Sequence, residues 1–213
     1  MKKLSAALML AAMSLSAHAL EVRPLITTFP AAHKTGTMTV SNTDEVEKTY
    51  QVFLDELTLV DGKQVRTKST DIRFAPSIMT IKPKQSQTVR YVRSGQAVSN
   101  EAVYRVRVEE IPANIKPEKS GVVYSMRMDF PWIWRAASAS PSLSASWSGR
   151  DLTIRNTGTA TAQLVNLKAG SKVKQGLIGY LLPGETATYK LDATPVQSVS
   201  VMVNSKPVEL DVK

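Results

Sequence analysis

Three observations predict an all-β fold in two domains. Apolar and polar residues alternate with a period of two through most of the chain, as in Gln87-Thr-Val-Arg-Tyr-Val-Arg93 and Val103-Tyr-Arg-Val-Arg-Val-Glu109. No stretch after residue 19 carries an apolar stripe of 3.6-residue period and helical length. Prolines 76, 83, 112 and 117 and an Asp61-Gly62 turn punctuate the alternating runs at short intervals. Many short strands with turns at such intervals read as a β-sandwich.

Taken in chain order, Thr37–Asn42 and Tyr50–Val60 are the first predicted strands. Asp61-Gly62 then supplies the two residues that tolerate positive φ in a tight hairpin, joining Thr58-Leu-Val60 to Lys63-Gln-Val65. The strands at 87–93 and 103–109 follow, and after them an alternating run from Gly121 to Phe130. Small residues and a proline at Ala136–Ser142 break the pattern, which places a linker at 137–143 between a domain of residues 20–136 and a smaller one of residues 144–213. In the second domain Leu152–Asn156, a turn at Thr157-Gly158, Ala162–Leu167, Ala187–Leu191 and Ser198–Val203 read as strands, and Asn204-Ser-Lys206 as a hairpin turn into Val208–Val212. No sequence repeat marks the two domains as copies.

Residues 1–19 have the three parts of a secretory signal: Lys2-Lys3, an apolar run from Leu4 to Leu15, and Ala17-His18-Ala19 as the cleavage site. The apolar run is well short of the roughly 20 residues that span a bilayer, so export without stable membrane insertion is expected, with Leu20 as the new N-terminus. The chain has no cysteine, which excludes disulfides, thiolate metal sites, iron–sulfur clusters and a Cys nucleophile. The charge of +9, less the two leader lysines, is +7. Its lysines and arginines are interleaved with acids, as in Asp44-Glu-Val-Glu-Lys48, so no nucleic-acid patch forms. With His18 lost, His33 is the one histidine left, so a Ser-His-Asp triad or a multi-histidine metal site would have to be built on it, and its polar stretch reads as a solvated loop rather than a held catalytic base; hydrolysis by paired carboxylates stays open. No Walker-type phosphate loop is present.

The run Gly121–Phe130 is the most informative segment. Val122, Tyr124, Met126, Met128 and Phe130 project to one face and Val123, Ser125, Arg127 and Asp129 to the other. One reading is a half-buried strand of the protein's own core. The other is a strand that lends large apolar side chains to a partner's groove, where flexible methionines suit adaptable packing and main-chain pairing supplies affinity.

The order and spacing of several short motifs resemble the periplasmic pilus (fimbrial) chaperones of the PapD-like type. They are Val40-Ser-Asn42, Phe74-Ala-Pro-Ser-Ile78, Ile81-Lys-Pro83, Gln87-Thr-Val-Arg90, Glu101, Tyr104–Pro112 and the alternating strand ending near Arg135, and the likeness is close over Phe29–Arg135. The resemblance implies two immunoglobulin-like domains in an L shape and a non-enzymatic, cofactor-free function: binding pilus subunits in the periplasm by donor-strand complementation and delivering them to an outer-membrane usher. It makes Tyr124, Met126, Met128 and Phe130 the donor side chains, with Val122 as a further member. It also makes Glu101, Arg135 and Arg90 a structural ion-pair network.

The resemblance fails at one place. The family's usual Arg and Lys that hold a subunit's terminal carboxylate fall on Ile26 and Pro131. Tyr104-Arg105-Val106 is similar to the archaic or alternative branch, and a guanidinium suits a carboxylate because it donates two parallel hydrogen bonds. Arg105 is therefore the expected anchor, then Arg107 on the same strand face, then Arg23. A carbohydrate-binding or carbohydrate-active β-sandwich is the alternative, motivated by Trp132, Trp134 and Trp147. Against it, Trp132 and Trp134 directly follow the donor strand, where packing between domains is the expected role.

Overall fold

The structure, a computed structural model, describes residues 20–112 and 124–212. Among them every regular element is a strand. The first half contains β1 (Leu20–Arg23), β2 (Thr27–Pro30), β3 (Thr35–Asn42), β4 (Lys48–Val60), β5 (Lys63–Lys68), β6 (Ile72–Ala75), β7 (Ile78–Ile81), β8 (Ser86–Arg93), β9 (Glu101–Ile111) and β10 (Arg127–Arg135). The second contains β11 (Leu143–Ser148), β12 (Asp151–Asn156), β13 (Ala162–Ala169), β14 (Lys172–Leu181), β15 (Thr186–Tyr189), β16 (Ser198–Val203) and β17 (Lys206–Asp211).

Each half is two sheets packed face to face. In the first, β1-β3-β8-β6 lies against β2-β10-β9-β4-β5, with β7 also on β4. In the second, β11-β12-β15 lies against β14-β13-β16-β17. The alternation read from the sequence is what fills both layers. Met38 and Val40 of β3, Val89 and Tyr91 of β8, Tyr50, Val52 and Leu54 of β4, and Val106 and Val108 of β9 all point into the first core. Burying each such side chain contributes about 1.5–3 kcal/mol. Leu152, Ile154, Leu164, Leu167, Val199 and Val201 do the same in the second.

The hairpins follow their turn chemistry. Asp61 and Gly62 have φ of 49° and 73°, and Asn204 and Ser205 have 48° and 65°, the pair of positive values that matches the twist of two flanking strands. β14 was not expected. Its sequence Lys-Val-Lys-Gln-Gly-Leu-Ile-Gly-Tyr-Leu does not alternate cleanly, because the pairing with β13 slips in register and Gly176 takes a φ of 79° there.

A unit too short to stand out as a sequence repeat occurs once in each half. The buried Asn42 side chain donates to the carbonyls of Val46 (2.7 Å) and Ile81 (2.9 Å) and accepts from the amide of Asp44 (3.0 Å). Asn156 likewise donates to Ala160 (2.8 Å) and Leu181 (2.9 Å) and accepts from Gly158 (3.0 Å). The amides of both asparagines donate to a turn beyond a proline, at Gln85 and Glu185. Each asparagine thus ties a loop to the end of a distant strand.

Replacing either asparagine by alanine strands two carbonyls away from water, so Asn42→Ala and Asn156→Ala are each expected to lower stability by about 2–4 kcal/mol. Urea unfolding of the purified variants checks this.

Candidate functional site

β10 is paired unequally on its two sides. It runs antiparallel to β9 over its whole length, from Arg127 opposite Glu109 to Arg135 opposite Glu101. On the other side it runs parallel to β2, but only from Trp132 to Arg135. Among the described residues, Arg127–Pro131 therefore carry an open edge. The carbonyl of Met126 and the amide of Ala136 both bond toward the β9 side. Since strand backbone groups alternate in direction, those of residues 127, 129 and 131 face the open edge. Pro131, which has no N–H, costs the β9 ladder nothing in that position.

The even-numbered side chains of this strand face the core, and their burial falls steadily toward its start. Trp134 and Trp132 are fully buried, Phe130 is 4% exposed, Met128 is half-buried against the core, Met126 is 40% exposed and Tyr124 is 80% exposed. Phe130 is consequently a core residue of this domain and not a free donor side chain as expected. The alternating strand is also shorter than expected, since regular strand begins at Arg127. Val122 lies outside the described residues.

Ser125 and Met126 still follow β9, through contacts that the sequence did not signal. Glu110, 8% exposed, accepts from the Met126 amide at 3.2 Å, and its backbone carbonyl accepts from Ser125 Oγ at 3.0 Å. Lys48 Nζ lies 2.5 Å from Glu110 Oε1. That hydrogen bond raises the Lys48 pKa above 10.5 against the opposing pull of burial. A buried carboxylate needs such a partner, and β4 supplies it.

The outer face of the same sheet carries charge. Arg105 donates through Nε to Asp129 Oδ1 (2.7 Å) and through Nη2 to the Asp129 carbonyl (3.0 Å). Arg66, on β5, reaches the other oxygen of the same carboxylate at 2.5 Å. Burial alone would raise the Asp129 pKa, yet the hydrogen bond from Arg66 and the charge and hydrogen bond of Arg105 together hold it below 3.8. Arg107 is engaged elsewhere, with Asp55 at 3.3 Å, Glu109 at 2.8 Å and the Phe53 ring at 4.9 Å. Arg23 is exposed on β1 and pairs with Glu21. A small cavity of about 40 Å³ beside Arg66 and Arg105 is lined further by Leu57, Pro131, Tyr180 and Leu182, so it lies between the two halves. Ile26 is 55% exposed and Pro131 is buried, and neither carries a charge.

Of the expected ion-pair network, two members meet. Glu101 accepts from Arg135 Nε at 2.6 Å and from both the amide (2.8 Å) and hydroxyl of Thr161 in the second half, while Arg135 donates to the Thr161 carbonyl at 2.9 Å. Arg90 is not part of it. It sits exposed on β8 in the other sheet, facing away from the core because Val89 and Tyr91 take the inward positions. The tryptophans also differ from expectation. Trp132 and Trp134 are inside the first core, and the residue between them, Ile133, makes the contact across halves, with Leu57, Val103 and Leu182. Neither ring is open to a sugar. Trp147 packs against the second core and donates to the Val196 carbonyl. His33 is half-buried, stacked on Phe29 at 4.8 Å and bonded to the Tyr91 hydroxyl at 3.0 Å, so it is not a solvated loop residue. Among the described residues no group of three His, Asp or Glu side chains is placed to hold a metal.

Two immunoglobulin-like sandwiches, with an apolar row running out of one core along an edge open among the described residues, make this a two-domain β-sandwich protein. The chain belongs to the family of pili and flagellar-assembly chaperones, whose PapD N-terminal domain matches residues 19–139. The fold agrees over nearly the whole chain. It is similar to a chain of the CsuC–CsuE chaperone–tip adhesin pre-assembly complex from archaic chaperone–usher Csu pili of Acinetobacter baumannii. The TM-score there is 0.74 at 20% identity, covering 92% of this chain and 99% of that one. It is also similar to a chain of the Salmonella enterica SafA pilin–SafB chaperone complex (0.70, 16%, 91% and 96%) and to the E. coli chaperone DraB (0.65, 17%, 92% and 97%). No curated protein sequence matches it. The protein is a pilus-assembly chaperone by family, and it is not an enzyme.

Two outcomes are expected from this geometry. Glu110→Ala removes the acceptor that fixes the Met126 amide, so hydrogen exchange at that amide should accelerate about tenfold or more while core amides of β9 keep their protection. Asp129→Asn should destabilise the protein at neutral pH. A depressed native pKa stabilises above the unfolded value of 3.8 and loses that contribution as pH falls through the native value. The difference in melting temperature between variant and native protein should therefore close on acidification, as thermal melts from about pH 7 to about pH 2 would show.

Proposed function

We propose that this protein is a periplasmic chaperone that binds pilus subunits by donor-strand complementation and hands them to an outer-membrane usher. The signal segment is removed after Ala19, and the subunit-binding unit is the domain of residues 20–136, joined through 137–143 to the domain of residues 144–213. The observation that carries the reading is the row Tyr124, Met126, Met128, graded from exposed to half-buried along an edge that is open over Arg127–Pro131. A sandwich lacking one strand exposes an apolar groove and unpaired backbone groups, both aggregation hazards. Adding this strand covers the groove and pairs the edge together. Chaperone–pilin strand donation is itself a well-known instance of such β-augmentation.

Arg105 is the residue we assign to the subunit's terminal carboxylate. It lies on β9 with Pro131 as its Cα partner, beside the open edge, whereas Arg107 is spent on Asp55 and Glu109 and Arg23 stands on the opposite sheet. Glu101 and Arg135 remain structural, tying β9 and β10 to Thr161.

The test is co-purification from periplasm of cells expressing a chaperone–usher operon. Native protein should bring down a small β-rich subunit at one-to-one stoichiometry. Tyr124→Asp with Met126→Asp alters only exposed side chains, so the fold survives, but it buries two carboxylates in the subunit groove and should reduce capture by about 100-fold or more. Undiminished capture by the folded double variant would end the donor-strand assignment. Arg105→Ala should weaken capture with the melting temperature little changed, and equal capture would move the anchor elsewhere.

A further inference from the structure

The assigned anchor is not idle in the free protein. Arg105 spends its Nε and Nη2 donors on Asp129: both lie on carboxylate Oδ1, at 2.7 and 2.6 Å, and Nη2 also donates to the backbone carbonyl at 3.0 Å. Those are the two donors a guanidinium would turn toward an incoming carboxylate side-on. The carbonyl is also one of the backbone groups that face the open edge, by the alternation set out above for residues 127, 129 and 131. A strand added at that edge needs this carbonyl as an acceptor for its own ladder. Arg105 and an added strand therefore meet at one oxygen atom, and an amide that pairs there weakens the hold of Arg105 on it.

Charge and space favour the exchange. Arg66 and Arg105 converge on a single carboxylate, which leaves the cluster with one net positive charge and room in its electrostatics for one further anion. The Arg105 side chain is 16% exposed and that of Asp129 is 21% exposed, so the attraction is less screened than at an open surface. The cavity beside both arginines, at about 40 Å³, has the size of a small polar group rather than a side chain.

We propose that the Arg105–Asp129 pair is a latch: in the free chaperone Asp129 stands in for the subunit's carboxylate and Arg105 caps the open-edge carbonyl, and strand pairing at that carbonyl releases the guanidinium to the subunit. The inference rests on the reading of Arg105 as the anchor. Arg66 is the second member of the clamp; it keeps Asp129 neutralised after Arg105 leaves, so that release does not strand a carboxylate without a partner. The latch makes the anchor selective. A free carboxylate in the periplasm meets an occupied guanidinium, and one carried on a strand that has begun to pair meets a vacated one.

The experiment is a titration with acetate as the carboxylate probe, at ionic strength held constant with sodium chloride, following the Arg105 Nε–Hε resonance by NMR. Native protein should respond weakly. Asp129→Asn keeps the shape of the residue but removes the internal anion, so acetate should shift the Arg105 signal with an apparent Kd at least about fivefold lower. An acetate response equal to or weaker than that of native protein would overturn the proposal, because Asp129 would then only orient the guanidinium. Should Asp129→Asn fail to fold, Asp129→Ser also removes the internal anion and is read in the same titration with the same two outcomes. The two failures are distinguishable. Normal capture by Arg105→Ala removes the anchor and the latch with it, whereas impaired capture by Arg105→Ala with no gain in acetate response for Asp129→Asn removes the latch alone.

Discussion

β10 must satisfy both of its faces and both of its edges with different partners. Its even-numbered residues fill the first core through Phe130, Trp132 and Trp134. Its odd-numbered Ile133 meets Leu182 of the second half. Among the described residues, one edge is paired throughout by β9 and the other only over its last four residues by β2. Backbone groups left unpaired in a sheet recruit partners. Among the described residues the half-paired edge and the apolar row leaving the core lie at the same end of β10.

That arrangement holds only if the second half is fixed against the first. Glu101 is the centre of the joint, with a side chain 3% exposed and accepting from Arg135 and Thr161. The Thr161 loop is positioned in turn by Asn156 through the Ala160 carbonyl. Gln64, from the β4–β5 hairpin, adds bonds to the Tyr180 carbonyl and the Glu185 carboxylate. The hairpin that bears Arg66 is thus braced by the second half, and the geometry around Asp129 depends on both.

Local chemistry was legible in the sequence and long-range chemistry was not. The Asp61-Gly62 and Asn204-Ser205 hairpins follow from residues that accept positive φ, and the alternating strands follow from their period. Where the period hid the outcome was at Phe130. Alternation places a side chain on a face, but only the length of the opposing sheet decides whether that face is covered. β14 lacked alternation because two glycines and a register slip interrupt it. The pairs Lys48–Glu110 and Arg66–Asp129 join residues some sixty positions apart, a distance across which charge pattern carries no signal. The paired asparagines could have been noticed, since each stands at the end of a strand before a Thr-containing loop, but their common role needs the carbonyls of distant strands to be seen.

Pro131 has a consequence for any strand laid along the open edge. Such a strand finds carbonyls at 127, 129 and 131 but amide donors only at the first two, because proline has none. The ladder loses its reciprocity at this residue, directly beside Arg105. A guest chain that slid one step further would forfeit a bond there, and a guest that stopped short would leave one unmade. In the proposed complex the proline is a punctuation mark: on a main-chain ruler otherwise blind to sequence, it marks where the guest's last residue belongs.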